Sequence, residues 1–418
     1  MTNIYIKEYE DSIPIQLSAE DLEFLTTLPG NENHTRINIK LTRCPGQVVL
    51  HATQWVGIIK TPNHRIAISP KIGVINFWKM YWYVVKSEDL PSFDYEVEIE
   101  EGEDLVEFMA KLFNKSIYQI IQDGIYRNYT SIIEEIPTIR GKLLVVQNIR
   151  NPRISKEKFF CEYDEFSADI LENQILLYCS HLLSELIVNK KVKEKLVQTQ
   201  QFLQKEGVSE KFLDIYHLEQ ITYHKFNEHY KEILWICEFI LRGRWYGDFS
   251  NKEEIPITGL WHDMNLLFQD FITLALKEKL SNYIVIKEPS DTRLLKNKPI
   301  IPDGILTQSI DAKALKPDIV IKNKQGETKL VIDTKYKDHD PPSGDYYQSL
   351  AYALTLDCPV LLLLPQFDIR RKEDFELIPE VEKEVLISVR TIDLSEESGT
   401  EYIELIKNRL ENIVKSFL

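Results

Sequence analysis

One short stretch constrains this chain more than any other: Lys316-Pro317-Asp318-Ile319-Val320-Ile321, a polar turn, then Lys329-Leu330-Val331-Ile332-Asp333-Thr334-Lys335-Tyr336. The apolar, β-branched runs on either side of Asn323-Lys324-Gln325-Gly326 predict a β-hairpin. If Asn323 faces Gly326, then Asp318 faces Val331, and Asp333 lies diagonal to Asp318, about 7 Å away at the backbone. Alternation with a period of two then puts Asp318, Val331, Asp333 and Lys335 on one face of the sheet. An unpaired carboxylate at the end of such a strand is costly to bury. An Asp333–Lys335 ion pair offsets that cost but leaves Asp318 on the same face unexplained. A hard divalent cation held by both carboxylates, with the ammonium one step along, explains all three, and outlines a metal-assisted phosphodiesterase site.

Downstream, Gln348 and Tyr352 stand four residues apart and share one face of an expected helix near Tyr346–Thr355, an amide and a phenol suited to a phosphate or a base edge. Lys313, Lys316, Lys322, Lys324, Lys329, Lys335 and Lys337, with Arg293, Lys296 and Lys298 upstream, surround the hairpin. They read either as a solvated lysine-rich surface or as a rim that tracks phosphates. The net charge of −15 runs against a nucleic-acid protein as a whole. The acidic residues concentrate elsewhere, as in Glu96 to Asp104 and Glu396-Glu397.

At 418 residues, with 44% hydrophobic and 11% aromatic content, the chain has enough apolar material for two or three globular cores. Residues 1–100 read as a β-rich domain, with strands at Ile4–Lys7, Arg36–Leu41, Val48–Ala52, Trp55–Lys60 and Arg65–Ile68 and turns at Pro45-Gly46 and Pro62-Asn63. A helix is expected after Ser18, and the aromatic run Phe77 to Tyr83 reads as a buried helix face. Residues 101–254 are mainly helical, with amphipathic spacing over Leu105–Ile121, Ile170–Ile187 and Tyr230–Leu241. An irregular extended piece carrying Pro137, Arg140-Gly141-Lys142 and Arg150-Asn151-Pro152-Arg153 separates the first two. Residues 255–418 follow an α/β order, with a helix over Asp263–Leu280, strands at Tyr283–Lys287, Val360–Leu364 and Val385–Val389, and a closing amphipathic helix, around a small mixed sheet. His217, His224 and His229 lack the spacing of a metal site and read as surface or packed histidines. Five scattered cysteines, the lack of a signal peptide and apolar runs too short for a bilayer fit a reducing cytoplasm and no membrane partner.

Asp318, Asp333-Thr334-Lys335 and Gln348-x-x-x-Tyr352 resemble the PD-(D/E)xK nuclease core with the QxxxY extension of RecB-like nucleases, Pro317-Asp318 supplying the "PD". Trp55-Val56-Gly57-Ile58-Ile59 and Ile66-Ala67-Ile68-Ser69-Pro70-Lys71-Ile72 resemble the amino-terminal region of McrC proteins. So do Ile139-Arg140-Gly141-Lys142, Cys161-Glu162-Tyr163-Asp164-Glu165-Phe166 and Glu172-Asn173-Gln174-Ile175-Leu176. His262-Asp263-Met264-Asn265-Leu266-Leu267-Phe268 is similar to the helix that opens the McrC nuclease domain. That helix commonly carries a Glu after Leu-Phe; here Gln269 stands there without that charge, followed by Asp270, both candidate contributors.

The resemblance implies an α+β multidomain chain: a partner-binding β-rich domain (1–100), a helical middle region (101–254) and a PD-(D/E)xK endonuclease domain (255–418). It implies a type IV restriction endonuclease subunit in which Asp318, Asp333 and the Thr334 carbonyl hold Mg²⁺, with Mn²⁺ able to substitute. Lys335 would act on the attacking water, and Gln348 and Tyr352 would position DNA. The implied partners are a McrB-like AAA+ GTPase hexamer, whose hydrolysis the chain stimulates, and double-stranded DNA with modified cytosine, with room for self-association in the assembled complex. No GxxxxGK[ST] segment occurs, so no nucleotide is expected on this chain. Two other readings stay open here: an assembly and GTPase-activating subunit with a decayed nuclease domain, and a free-standing RecB-like exonuclease.

Overall fold

The computed structural model describes residues 2–26, 36–44, 46–85, 104–150, 158–246, 257–289, 316–337, 340–367, 375–377, 386–394 and 401–418. Among them, eleven α-helices and several sheets make a mixed α and β chain. It divides into two compact units, one of Met1–Val56, Thr61–Ser92 and His262–Leu418, the other of Gly57–Lys60 and Phe93–Trp261. The two ends of the chain, far apart in sequence, thus share a unit. Pro45, Glu96 to Glu103, Asn151 to Arg153, Arg293, Lys296, Lys298, Lys313, Val385 and Glu396-Glu397 lie outside the described residues.

The first unit begins with β1 (Thr2–Lys7), β2 (Ile15–Gln16), α1 (Ala19–Thr26), β3 (Ile37–Leu41), β4 (Gln47–Ala52), β5 (Trp55–Lys60, its last four residues in the second unit), β6 (His64–Ser69) and α2 (Val74–Val85). Its strands fall close to the expected runs. β1 lies parallel to β6, and β4 pairs antiparallel with both β2 and β3. Ser18 caps α1 as its sequence requires: its hydroxyl accepts the Asp21 N–H at 3.1 Å while Asp21 Oδ2 accepts the Ser18 N–H at 3.2 Å. The aromatic run forms α2, in which Phe77, Trp78, Trp82 and Tyr83 are buried. A helix apolar all round belongs inside a core.

The second unit contains α3 (Leu105–Asp123), β7 (Asn128–Ile136), β8 (Lys142–Leu143), α4 (Val145–Arg150), β9 (Phe159–Ser167), α5 (Leu171–Leu186), α6 (Lys190–Lys205), α7 (Ile215–Glu219), α8 (Lys231–Gly243), β10 (Arg244–Tyr246) and most of β11 (Ile257–Asp263). Here the structure departs from the sequence reading. The piece taken as irregular contains the nine-residue strands β7 and β9, paired antiparallel along their whole length. Strand β7 faces solvent on both sides, so its apolar residues do not alternate cleanly, while β9 buries one face through Cys161 and Tyr163. The Glu-Asn-Gln run at the start of α5 has a structural use. Buried Asn173 donates to the carbonyls of Tyr126 and Ala168 and accepts from the Tyr230 hydroxyl at 2.8 Å. Gly57 lies against the Leu260 backbone with φ of +135°, where a Cβ would stand 1.9 Å from the Leu260 carbonyl oxygen.

The first unit resumes with α9 (Met264–Lys279), β12 (Ile284–Lys287), β13 (Ile319–Lys322), β14 (Thr328–Thr334), α10 (Ser343–Leu356), β15 (Val360–Gln366), β16 (Phe375–Leu377), β17 (Ile387–Asp393) and α11 (Tyr402–Lys415). The sheet runs β12-β13-β14-β15-β17-β16, antiparallel from β12 to β14, parallel from β14 through β15 to β17, and antiparallel again at β16. Strands covered on both faces read as continuous apolar runs, as Ile319-Val320-Ile321 and Val360 to Leu364 do. Val320, Val331 and Val360 pack against Tyr352 and Ala353 of α10. The alternate residues Ile319, Ile321, Leu330 and Ile332 are equally buried and face the other way. On that side α9 packs on β12 and β14, and α11 on α9 and β17.

Candidate active site

The β13–β14 hairpin sets the site, and its register differs from the expected one. Ile319 faces Ile332 and Val320 faces Val331, so the next residue along, Asp318, comes opposite Asp333 rather than Val331. Two single-residue slips cause the change. The turn holds three residues, not two: Asn323 N–H bonds the Glu327 carbonyl, and Gly326 takes φ of +86°. A bulge at Lys329 then adds a second residue. One slip would have turned every side chain of β14 to the other face; two restore it. Asp318 and Asp333 therefore do share a face, as directly opposed and not diagonal residues.

Asp318 Oδ2 accepts both the Thr334 N–H and the Thr334 hydroxyl at 2.7 Å, closing the end of the hairpin. Asp333 is 1% exposed, with its Oδ2 2.7 Å from Lys335 Nζ. Lys335 Nζ also donates to Gln348 Oε1 at 3.2 Å. From there a chain of bonds runs inward: Gln348 Nε2 donates to the Tyr352 hydroxyl at 2.8 Å, which donates to the Lys316 carbonyl at 2.9 Å. Gln348 is exposed, whereas Tyr352 is buried with its hydroxyl engaged in both directions. Tyr352 therefore braces Gln348 from within rather than presenting its hydroxyl to solvent.

Gln269 and Asp270 point to different tasks. Gln269, buried in α9, donates to Glu288 Oε1 at 3.1 Å, and Asp270 holds Lys287 at 2.5 Å. Glu288 escaped the sequence reading. It follows β12 with φ of +43°, its N–H bonds the Asp318 carbonyl at 2.8 Å, and its charge is felt by the Asp318 carboxyl. Its only sequence signal was its place after an expected strand. Part of the lysine rim is neutralised locally, Lys329 by Glu327 at 2.9 Å and Lys337 by Asp345 at 2.7 Å. Among the described histidines, His217 caps α7 against Asp214 at 2.7 Å, and His224 accepts the Phe226 N–H at 3.2 Å.

The electrostatics of the pair follow from burial. Desolvation raises Asp318, opposed by the Thr334 bonds and Lys335 and aided by the charge of Glu288. Desolvation also pushes Asp333 up to about 6, against the pull of Lys335 and with the push of Asp318. Burial works against the Lys335 ammonium too, yet the Asp333 carboxylate and then Asp318 hold its pKa above the usual lysine value. One ammonium thus does not balance the two acids, one buried and one half-buried, and a divalent cation would lower both carboxyl pKa values. Hard oxygen donors suit Mg²⁺, which keeps several waters and needs only one or two carboxylates. Among the described residues, no three His, Cys, Asp or Glu side chains gather around one metal position.

Fold and site together describe a mixed sheet with two acids and a lysine at the end of a central hairpin. Residues 50–364 match the family described as McrBC 5-methylcytosine restriction system component, and the chain belongs to that family. The type IV methyl-directed restriction enzyme EcoKMcrBC of Escherichia coli K12 is 24% identical over 248 residues, which cover 56% of this chain and 65% of that protein, a little under two thirds. A chain in the assembly of Thermococcus gammatolerans McrB AAA+ hexamers with bound McrC shares the fold, with a TM-score of 0.67 at 16% identity over 99% of this chain and 100% of that one. No helix among the described residues is long and apolar enough to cross a membrane.

Proposed function

We propose that this chain is the Mg²⁺-dependent endonuclease subunit of a McrBC-like restriction system. It would cleave double-stranded DNA containing modified cytosine when assembled with an AAA+ GTPase partner whose hydrolysis it stimulates. The observation that carries the reading is the opposed pair of carboxylates, half-buried Asp318 and buried Asp333, with Lys335 2.7 Å from the second. Family membership, and the McrB hexamers and McrC named for the similar assembly, support the partner.

Asp318, Asp333 and the Thr334 carbonyl would hold the ion. When bound, Mg²⁺ supplies charge to polarise a scissile phosphate and to acidify a water beside it. The chain's own residues do the rest. Thr334 fixes Asp318 through two hydrogen bonds, so that carboxylate is oriented before any ligand arrives. Lys335 offers an ammonium at the edge of the acids, where it can orient a water or neutralise charge growing on phosphorus. Gln348 steadies that ammonium and, being exposed, can meet the phosphate backbone, while Tyr352 braces Gln348 from within.

Purified chain is to be tested on methylated and unmodified DNA with Mg²⁺ and GTP, with and without the AAA+ partner. Cleavage of methylated DNA only in the complete mixture, lost in Asp318→Ala, is the expected result. Cleavage of DNA ends without partner would favour a free-standing exonuclease. GTPase stimulation with no cleavage under Mg²⁺ or Mn²⁺ would favour a decayed nuclease.

A further inference from the structure

We infer that Glu8, Tyr9 and Tyr336 form a clamp through which the amino-terminal strand positions Lys335. The inference rests on the reading of Lys335 as a lysine of the reacting site.

The clamp begins where β14 runs out. Beyond Thr334 the backbone keeps a bond from Lys335 N–H to the Leu363 carbonyl at 2.9 Å and a tight turn from Lys337 N–H to the Lys335 carbonyl, also at 2.9 Å. The next residue, Tyr336, is 1% exposed and held at both of its polar ends. Its hydroxyl donates to Glu8 Oε1 at 2.7 Å, and its carbonyl accepts the Tyr9 hydroxyl. Glu8 is fully buried at the end of β1, where its N–H continues the ladder to the Ser69 carbonyl and its Oε1 also accepts the Lys71 N–H at 2.6 Å. Tyr9 stands at φ of +60°, a left-handed conformation unusual for a tyrosine, and so brings consecutive side chains to the two ends of one residue. Phe268, the neighbour of Gln269, and Phe367, at the end of β15, close on the Tyr336 ring at centroid distances of 5.6 and 5.3 Å.

A phenylalanine would fill the same space at position 336. A fully buried carboxylate joined to a fully buried phenol, with a strained neighbour, is a costly way to fill a core. It does fix a backbone position, and the position fixed is the one after Lys335. The Lys335 side chain must reach Asp333 on its own strand and Gln348 on α10 at once, and small shifts of a reacting group cost large factors in rate.

The variants are Tyr336→Phe, Glu8→Leu and Tyr9→Phe, the last on a half-exposed residue least able to unfold the chain. The first readout needs no cleavage: the rate at which acetic anhydride acetylates Lys335 in the full chain, read by mass spectrometry against Lys79 and Lys407 as internal standards. Each variant should acetylate Lys335 about threefold faster or more, as locally loosened segments do, with the standards unchanged. In the complete cleavage mixture each should lower kcat about tenfold with KM for DNA and GTPase stimulation unaltered. Tyr336→Phe with Glu8→Leu should be no worse than Glu8→Leu alone, because the Tyr336 hydroxyl then has no acceptor left to lose. Lys335 acetylation at the wild-type rate in Tyr9→Phe and Tyr336→Phe, or full additivity in the double variant, would overturn the clamp. If the wild-type mixture cleaves nothing, the nuclease reading falls while acetylation still judges the clamp.

Discussion

At the scale of single residues the site is governed by the cost of burying Asp333. Its folded pKa, about 6, lies above the ordinary carboxylate value of 3.8. Protonation therefore favours the metal-free fold: that stability is fully present below the ordinary value and is lost as pH rises through about 6. Asp333→Asn keeps the shape and removes the charge. Metal-free Asp333→Asn should be more stable than wild type at pH 7.5, by about 1–3 kcal/mol, with the gap closing by pH 4. Chemical denaturation at the two pH values checks this, and a variant less stable at pH 7.5 would contradict it. The same titration makes ion binding release protons, so wild-type Mn²⁺ affinity by calorimetry should climb between pH 5 and pH 7, with Asp333→Asn failing to bind. The grouping of Asp318, Asp333 and Lys335 was legible because it depends on spacing within one hairpin. Glu288 and Tyr336 were not, since what they do depends on Gln269 and Glu8, partners that only the folded chain brings near.

At the scale of elements, the hairpin shows what local sequence can and cannot specify. Asn323 and Gly326 announced a turn, but the two-residue loop assumed from them is a three-residue loop with a bulge at Lys329. Nothing in Glu327-Thr328-Lys329 distinguishes these outcomes. What decides is burial of Leu330 and Ile332 on one face and Val331 on the other. The face was therefore readable where the partner was not. The β7–β9 sheet was missed for the opposite reason, since a strand exposed on both sides leaves no binary pattern. Helix α10 is tied to the strand end by the Tyr352 hydroxyl at the Lys316 carbonyl. Tyr352→Phe keeps the ring among Val320, Val331 and Val360 and leaves that carbonyl and Gln348 short of a partner, which should cost about 1–2 kcal/mol of stability and show as a lower denaturation midpoint. Gly57→Ala should be far worse, because the new methyl would overlap the Leu260 carbonyl of β11. Loss of soluble chain on expression is the expected result, and a wild-type melting curve would contradict it.

At the scale of the whole molecule, the chain's composition and its site pull apart. A net charge of −15 gives no general attraction for DNA, and several lysines near the hairpin are already paired with acids. Delivery of DNA by a partner fits that balance better than capture by this chain alone. The proposed nuclease and assembly functions should then separate: the double variant Asp318→Ala/Asp333→Ala should bind the AAA+ partner and stimulate its GTPase as wild type does, while cleavage falls by about 10²–10³-fold or more. Loss of GTPase stimulation in that variant would show that the two functions share these residues. The most direct measurement is crystallographic: crystals soaked in Mn²⁺, with data collected at the manganese edge. An anomalous peak between the Asp318 and Asp333 carboxylates, absent in Asp333→Asn, is the expected result. A clean map with no peak there, under conditions in which the assembled protein cleaves DNA, would contradict the assignment.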